Sequence, residues 1–117
     1  YMLRILDLRN NQLKIFNTDI IDNRFFTIEG MSLIFIRYIY LSNNNLNEIF
    51  ISEHFLSSLI ELDFENNYLM VFPNIERYSK YSRSFKVLNG QKNNIKKLEE
   101  SNFLFMDNLE FLLLSEN

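Results

Sequence analysis

Three carboxylates alternate along the middle of the chain, at Glu61, Asp63 and Glu65. Grouped carboxylates are typical of general acid–base catalysis and of calcium binding. Acid–base catalysis needs a desolvated cleft that separates two pKa values, whereas this alternation predicts one open face of an extended strand. Because like charges on one strand face repel each other, we expect this surface to attract a cationic partner and to have no catalytic or metal-binding role.

Two tyrosines alternate in the same way at Tyr38 and Tyr40, directly after Arg37. Tyrosine and arginine contribute much of the binding energy at protein interfaces, because each combines a large contact area with hydrogen bonding. The three residues therefore predict a contact site for a protein ligand. The alternative is ordinary solvated sheet surface.

Basic and aromatic residues interleave in the segment 77–84, whose sequence is RYSKYSRS. Such a segment can bind single-stranded nucleic acid through charge and base stacking. The net charge of −3, however, gives no general attraction to nucleic acid or to an anionic membrane. We therefore expect a solvated connecting segment there, and no nucleic-acid partner.

The sequence predicts no metal site and no cofactor. It contains no cysteine and a single histidine, His54, so a zinc site lacks ligands. It contains no Gly-rich phosphate loop and no nucleophile motif. We expect a protein without enzyme activity.

The composition is that of one globular domain over residues 1–117, with 47% hydrophobic and 23% charged residues. No apolar run approaches the roughly 18 residues that a membrane span needs, so no membrane contact is expected within this chain. Only two glycines and one proline occur, which leaves no sign of a linker between domains.

An internal repeat predicts the strands on which the carboxylates and tyrosines described above lie. The segment 3–13 fits the pattern L-x-x-L-x-L-x-x-N-x-L at every position, and the pattern returns four times. Its members are Leu3, Leu6, Leu8, Asn11 and Leu13; Ile36, Ile39, Leu41, Asn44 and Leu46; Leu59, Leu62, Phe64, Asn67 and Leu69; Phe85, Leu88, Gly90, Asn93 and Ile95; Leu109, Leu112, Leu114 and Asn117. Repeats begin near residues 3, 36, 59, 85 and 109, so their lengths are 33, 23, 26 and 24 residues. The first repeat is predicted to carry an insertion within Asp22–Ser32.

This pattern resembles the leucine-rich repeat family over essentially the whole chain, and the spacing of Phe103, Met106 and Leu109 is similar to its extracellular type of about 24 residues. The resemblance implies an α/β solenoid, a horseshoe with a parallel concave sheet and an irregular, 3-10 or short-helical convex side. The chain is interpreted as one array fragment that is uncapped at both ends. We expect its apolar ends to contact further repeats or caps of the parent chain, and to make the isolated fragment self-associate.

Two sets of pattern positions predict structural roles. The asparagine column is expected to satisfy backbone groups where the chain turns off each strand, and it comprises Asn11, Asn44, Asn67, Asn93 and Asn117. A bulky convex layer is predicted at Phe16, Phe72, Phe103 and Phe105, and Ile49 and Leu98 share the register of the first two. Gly90 stands where an apolar side chain belongs, which predicts a cavity or a shift of its neighbours Val87 and Leu88.

Binding is expected on the concave face, because the side chains between the leucines point outward and are free to vary. One outward column combines Arg9, Ser42 and Glu65 with two residues of later repeats. The predicted contact residues for a protein ligand are Ile5, Asp7, Arg9, Arg37, Tyr38, Tyr40, Glu61, Asp63, Glu65 and Phe111.

The resemblance implies a protein–protein interaction module, first of all a fragment of a secreted or cell-surface recognition protein of innate-immune or adhesion type. The irregular repeat lengths favour this interpretation. The absence of cysteines and of N-x-S/T sequons instead favours an intracellular adaptor or scaffold in the cytoplasm. A third interpretation is the recognition part of a larger receptor kinase or ubiquitin-ligase adaptor.

Overall fold

Short strands form at the repeated positions and again shortly after them. The computed structural model describes residues 3–18, 35–52, 58–75, 84–103 and 106–117. The strands within these ranges are β1 Ile5–Asp7, β2 Ile15–Asn17, β3 Tyr38–Tyr40, β4 Glu48–Ile51, β5 Glu61–Asp63, β6 Asn74–Ile75, β7 Val87–Asn89 and β8 Phe111–Leu113. They form two parallel sheets, and a 3-10 helix at Glu100–Asn102 precedes β8.

The first sheet contains β1, β3, β5, β7 and β8 in sequence order, all parallel. Its register places Leu6 beside Ile39, Ile39 beside Leu62, and Leu62 beside Leu88, so equivalent leucine positions are direct neighbours. Parallel neighbours cannot be joined by a tight hairpin, and each connection must return to the same end of the sheet. The long spacing between successive copies of the pattern supplies that return path.

The return path of the first three repeats contains a second sheet, in which β4 lies between β2 and β6. Phe16 faces Ile49 in its register, but Phe50 faces Asn74, one residue later than the offset between β3 and β5. Pro73, which is buried and has no N–H to donate to a ladder, lies directly before β6, where the shift occurs. Within the described residues, the return side of these repeats contains short strands beside the irregular, 3-10 or short-helical structure that was expected, and in the fourth repeat it contains the 3-10 helix.

The core is one cluster of side chains that come from both sheets. In β3, β5 and β7 the central side chain is buried and its two neighbours are half-buried, as strand alternation requires. Each buried aliphatic side chain contributes roughly 1.5–3 kcal/mol by removal of apolar surface from water. The outer strands differ: Leu6 of β1 is half-buried and Leu112 of β8 is 42% exposed, because neither strand has a described neighbour on its outer side.

Gly90 leaves no cavity, so the first of the two outcomes expected from the sequence, a cavity or a shift of Val87 and Leu88, is wrong. A β-carbon at this position would lie 2.5 Å from Cζ of Phe64 and 3.1 Å from Cδ2 of Leu114. Phe64 is the equivalent residue of the preceding repeat and is fully buried, so its ring occupies the space that a leucine at position 90 would take. The two positions form a matched pair of one large and one small residue.

The bulky layer is present in part. Phe16 and Phe72 are buried, and Phe72 packs edge-on against the half-buried Phe103 with ring centroids 5.1 Å apart. Leu98, which shares the register of Phe16 and Phe72 in the sequence, is exposed and is not part of this layer. The chain at Leu98 forms no strand and continues into the 3-10 helix, and Met106 is buried further on.

Four features predicted from the sequence lie outside the described residues. They are the insertion within Asp22–Ser32, His54, the basic and aromatic segment as far as residue 83, and Phe105. In the part of the chain that the structure describes, no helix has the length and apolar character needed to cross a bilayer.

Candidate functional site

The asparagine column holds the turns that follow the strands of the first sheet. Asn67 is buried, and its Nδ2 donates to the carbonyl oxygens of Leu41 and Phe64 at 3.1 and 3.0 Å. Its Oδ1 accepts the amide N–H of Leu46 at 3.0 Å. Two of these hydrogen bonds join the third repeat to the second, and the bond to Phe64 lies within the third repeat. Equivalent bonds between neighbouring repeats are made by Asn44, Asn93 and Asn117.

A second polar column, one residue earlier, was not anticipated from the sequence. Its members have left-handed backbone conformations, with φ between 54° and 60°: Asn10, Asn43, Asn66, Lys92 and Glu116. Asparagine tolerates this conformation better than other non-glycine residues. Nδ2 of Asn43 donates to Oδ1 of Asn10 at 2.9 Å, and Nδ2 of Asn66 donates to Oδ1 of Asn43 at 2.8 Å. The repeated Asn-Asn doublet is the sequence signal that would have identified this exposed ladder.

Tyr38 and Tyr40 form the aromatic centre of the first-sheet face. Their rings are stacked, with centroids 6.3 Å apart and planes inclined by 20°. The guanidinium carbon of Arg9 lies 5.2 Å from the centroid of the Tyr40 ring, within cation–π range. The Tyr40 phenol donates to Oε2 of Glu61 at 3.4 Å. Burial raises the pKa of Tyr40 and the charge of Glu61 adds to this effect, so the phenol stays protonated at neutral pH.

Asp7 and Arg9 form an exposed ion pair on the outer strand of this sheet. Nη2 and Nε of Arg9 donate to the two carboxylate oxygens of Asp7 at 2.6 and 2.9 Å. This hydrogen bonding lowers the pKa of Asp7 and raises the pKa of Arg9. The pairing orients the guanidinium that lies over Tyr40.

Asp63 occupies the position on β5 that Asp7 occupies on β1, but its surroundings differ. It is half-buried, and among the described residues no basic group lies within ion-pair distance of it. Burial raises the pKa of Asp63, and the charge of Glu65 raises it further. The amide N–H of Glu65, which donates to Oδ1 of Asp63 at 2.9 Å, acts in the opposite direction.

The three carboxylates predicted to repel each other are unequal in the structure. Oε1 of Glu65 lies 3.5 Å from Nζ of Lys92, so a cation balances its charge. Glu61 accepts the hydrogen bond from Tyr40, which is uncharged. Glu61 and Asp63 therefore carry the negative charge that no described cation neutralises at close range.

Two arginines lie side by side at the amino-terminal edge of the first sheet. Arg4 and Arg37 each directly precede a strand, and the carbonyl oxygen of Arg4 accepts the amide N–H of Arg37 at 2.8 Å. Both are exposed, and within the described ranges neither has a carboxylate at ion-pair distance. Farther along the same edge, Lys86 is paired with Glu110 at 3.4 Å.

The structure brings together most of the predicted contact residues, but not all. One continuous surface across β1, β3 and β5 contains Asp7, Arg9, Tyr38, Tyr40, Glu61 and Asp63. Ile5 lies beside Tyr38 in the register, whereas Phe111 lies on β8 with β7 between it and β5. Ser42, which we expected to be solvated on this face, is buried.

A hydrophobic patch on the third repeat was also not anticipated. Tyr68, Met70 and Val71 are 59%, 64% and 67% exposed. The equivalent residues of the second and fourth repeats are polar: Asn45, Asn47, Glu48, Asn94, Lys96 and Lys97. A groove of about 320 Å³ adjoins the patch and includes Phe72 in its lining. Comparing the repeats at every position, and not only at the leucines, would have shown this difference.

Comparisons of the chain with protein families, curated proteins and solved structures give no match. Within the described ranges, no three acidic or histidine side chains are grouped as ligands for a metal ion. The description of this chain therefore rests on its own structure. It contains two parallel sheets, and the first has an open, charged face with two tyrosines at its centre.

Proposed function

We propose that the chain is a leucine-rich repeat solenoid and that the outward face of its first sheet binds a protein ligand. The observation that carries the proposal is the sequence-ordered parallel sheet, whose register repeats the leucine pattern strand for strand. An open sheet face provides a broad surface without a cleft, which suits contact with a macromolecule better than catalysis.

Tyr38 and Tyr40 are the proposed anchors of this contact. Both are half-buried, and Tyr40 is held between the Arg9 guanidinium and the Glu61 carboxylate. Side chains that are already ordered lose little conformational entropy when a partner binds. Their stacked rings therefore offer apolar area and two phenol groups at low entropic cost.

The proposal is tested by selecting binders to the purified chain from a random-peptide display library. Fluorescence anisotropy then compares the wild type with a Tyr38→Ser, Tyr40→Ser double variant and with Met70→Ser, Val71→Ser as the matched control on the hydrophobic patch. We expect the tyrosine variant to weaken binding about ten-fold or more and the control to leave it unchanged. Binders that depend only on Met70 and Val71 would move the binding function to that patch.

We propose a secreted or cell-surface recognition protein as the setting, in keeping with the repeat lengths. An intracellular adaptor is the second candidate, and the absence of cysteines and sequons favours it. Expression of the protein as its gene encodes it, followed by assay of medium and cytosol, separates the two. Retention in the cytosol would exclude the first setting and leave the binding proposal standing.

A further inference from the structure

We infer that the ligand of this face is a bipolar extended segment, with a carboxylate that binds Arg4 and Arg37 and a basic side chain that binds Glu61 and Asp63. The inference rests on the proposed function, because it specifies the chemistry of the partner that the first-sheet face binds. It follows from which charges of this face are already neutralised within the protein and which are not.

The positive end of the face is the pair of arginines at the amino-terminal edge. Arg4 and Arg37 occupy equivalent positions in neighbouring repeats, and both are exposed. Like charges side by side repel each other, and a carboxylate placed between two guanidinium groups relieves the repulsion by accepting hydrogen bonds from both.

The negative end lies on β5, where Glu61 is the first residue and Asp63 the last. Glu61 and Asp63 point to the same side of the strand, and Asp63 is half-buried without a described ion-pair partner. A basic side chain from a ligand would gain from both carboxylates at once. Glu65 contributes less, because Lys92 already lies beside it.

The aromatic centre lies beside both ends. Tyr38 pairs with Glu61 and Tyr40 pairs with Asp63 in the register, and Arg37 directly precedes Tyr38. Three residues along a strand and one strand spacing separate Arg37 from Asp63, which corresponds to roughly 11 Å. A fully extended peptide covers that distance in about three residues.

Ligands of a single charge sign fit this face poorly. A uniformly basic segment would meet Arg4 and Arg37, and a uniformly acidic segment would meet Asp63 and Glu61. The remaining charges on the face form internal pairs, Asp7 with Arg9 and Lys92 with Glu65, and do not change this division. The charge complementarity therefore favours a segment with both signs, about three residues apart.

The deciding experiment uses three synthetic peptides with blocked ends: Asp-Ser-Ser-Lys, Asn-Ser-Ser-Lys and Asp-Ser-Ser-Gln. Their binding to the full chain is followed through the backbone amide signals of Tyr38 and Tyr40 in ¹⁵N-resolved NMR spectra. We expect the bipolar peptide to bind about five-fold more tightly than either peptide with one charge, at low salt. Equal affinities for the three peptides would overturn the inference.

Two variants assign the ends. In the double variant Arg4→Gln, Arg37→Gln, the aspartate of the peptide should no longer increase the affinity, whereas its lysine still should. In the double variant Glu61→Gln, Asp63→Asn, the lysine should no longer increase the affinity, whereas the aspartate still should. The display selection separates this inference from the proposed function. Binders that need Tyr38 and Tyr40 but carry one charge sign refute the inference and support the proposed function, whereas binders that ignore both tyrosines refute both.

Discussion

The middle and the outer strands of the first sheet carry the same sequence pattern in different surroundings. Leu62 on β5 is fully buried, whereas Leu112, its equivalent on β8, is 42% exposed. Asn67 is buried and bonded to two repeats, whereas Asn11 is exposed and, among the described residues, bonds only to the carbonyl oxygens of Leu8 and Arg9 in its own repeat. A repeat pattern therefore specifies which residues can enter the core, and the neighbouring repeats decide whether they do.

The largest effect that tests this comparison is expected from Asn67→Ala. The change leaves the buried N–H of Leu46 without its partner and removes one of two hydrogen bonds to the carbonyl oxygens of Leu41 and Phe64, at a cost of about 1–3 kcal/mol in the free energy of unfolding. Asn11→Ala is the matched control, and we expect it to cost clearly less. Denaturant unfolding followed by circular dichroism measures both, and equal losses would mean that position in the array has no influence.

The second effect concerns the matched pair of Phe64 and Gly90. Gly90→Ala places a β-carbon within 2.6 Å of two ring atoms of Phe64, and we expect this overpacking to cost about 1–3 kcal/mol. Phe64→Leu, which alone leaves unfilled volume, should reduce that cost in the double variant. A double-mutant cycle measures the coupling, and strictly additive effects would contradict the proposed pairing.

The third effect is a pH dependence of opposite sign at Asp63 and Asp7. Since the folded state raises the pKa of Asp63, the stability from this group is full below the unfolded pKa of about 3.9 and is lost as the pH rises through the folded pKa. Asp63→Asn should therefore raise the melting temperature at pH 7, with a gain that fades toward pH 3. The amide can still accept the Glu65 N–H, as Asn89 accepts that of Gln91 in the next repeat.

Asp7 serves as the counterpart in the same measurement. Its pKa is lowered in the folded state, so its contribution is present above about pH 3.9 and is lost as the pH falls through the folded pKa. Asp7→Asn should lower the melting temperature at pH 7, by a small amount because the pair with Arg9 is exposed. Thermal melts that shift in the same direction for both variants would contradict the assignment of burial as the cause at Asp63.

The smallest effect is expected from Lys92→Asn. Lys92 has a left-handed φ of 54°, and asparagine there would relieve strain and extend the Asn10–Asn43–Asn66 ladder. The exposed ion pair with Glu65 is lost, so we expect a net gain below about 1 kcal/mol. Lys92→Gly isolates the backbone contribution, and a glycine variant as stable as the asparagine variant would show that the ladder bond adds nothing.

Much of the first sheet was predictable from the sequence, because the second leucine position of each repeat is also the site of strand pairing. The second sheet was not predictable from that pattern. Phe50 and Asn74 pair across a one-residue shift at Pro73, so equivalent positions do not remain equivalent there. Leu98 shares the register of Phe16 and Phe72 in the sequence but is exposed, and its repeat continues into the 3-10 helix instead of a strand.

The candidate face was predictable as a set of outward positions, but its electrostatics were not. The alternation at Glu61, Asp63 and Glu65 indicated one charged strand face. Which carboxylate is balanced depends on Lys92, a residue of the next repeat that reaches Glu65 from outside the outward columns. The cation over Tyr40 is likewise Arg9 of the preceding repeat, whereas the sequence grouped the tyrosines with Arg37 as one contact site.

Because Phe64 packs against Gly90, the third and fourth repeats fit together only in this order. A repeat with glycine at this position fits behind one with phenylalanine, and it would leave a void behind one with leucine, as at Leu41 or Leu8. Duplication of the fourth repeat would place Gly90 against its own copy, and deletion of the third would set it against Leu41. The modules of this chain are thus not interchangeable, and recombination between them carries a penalty in packing that the shared leucine pattern does not reveal.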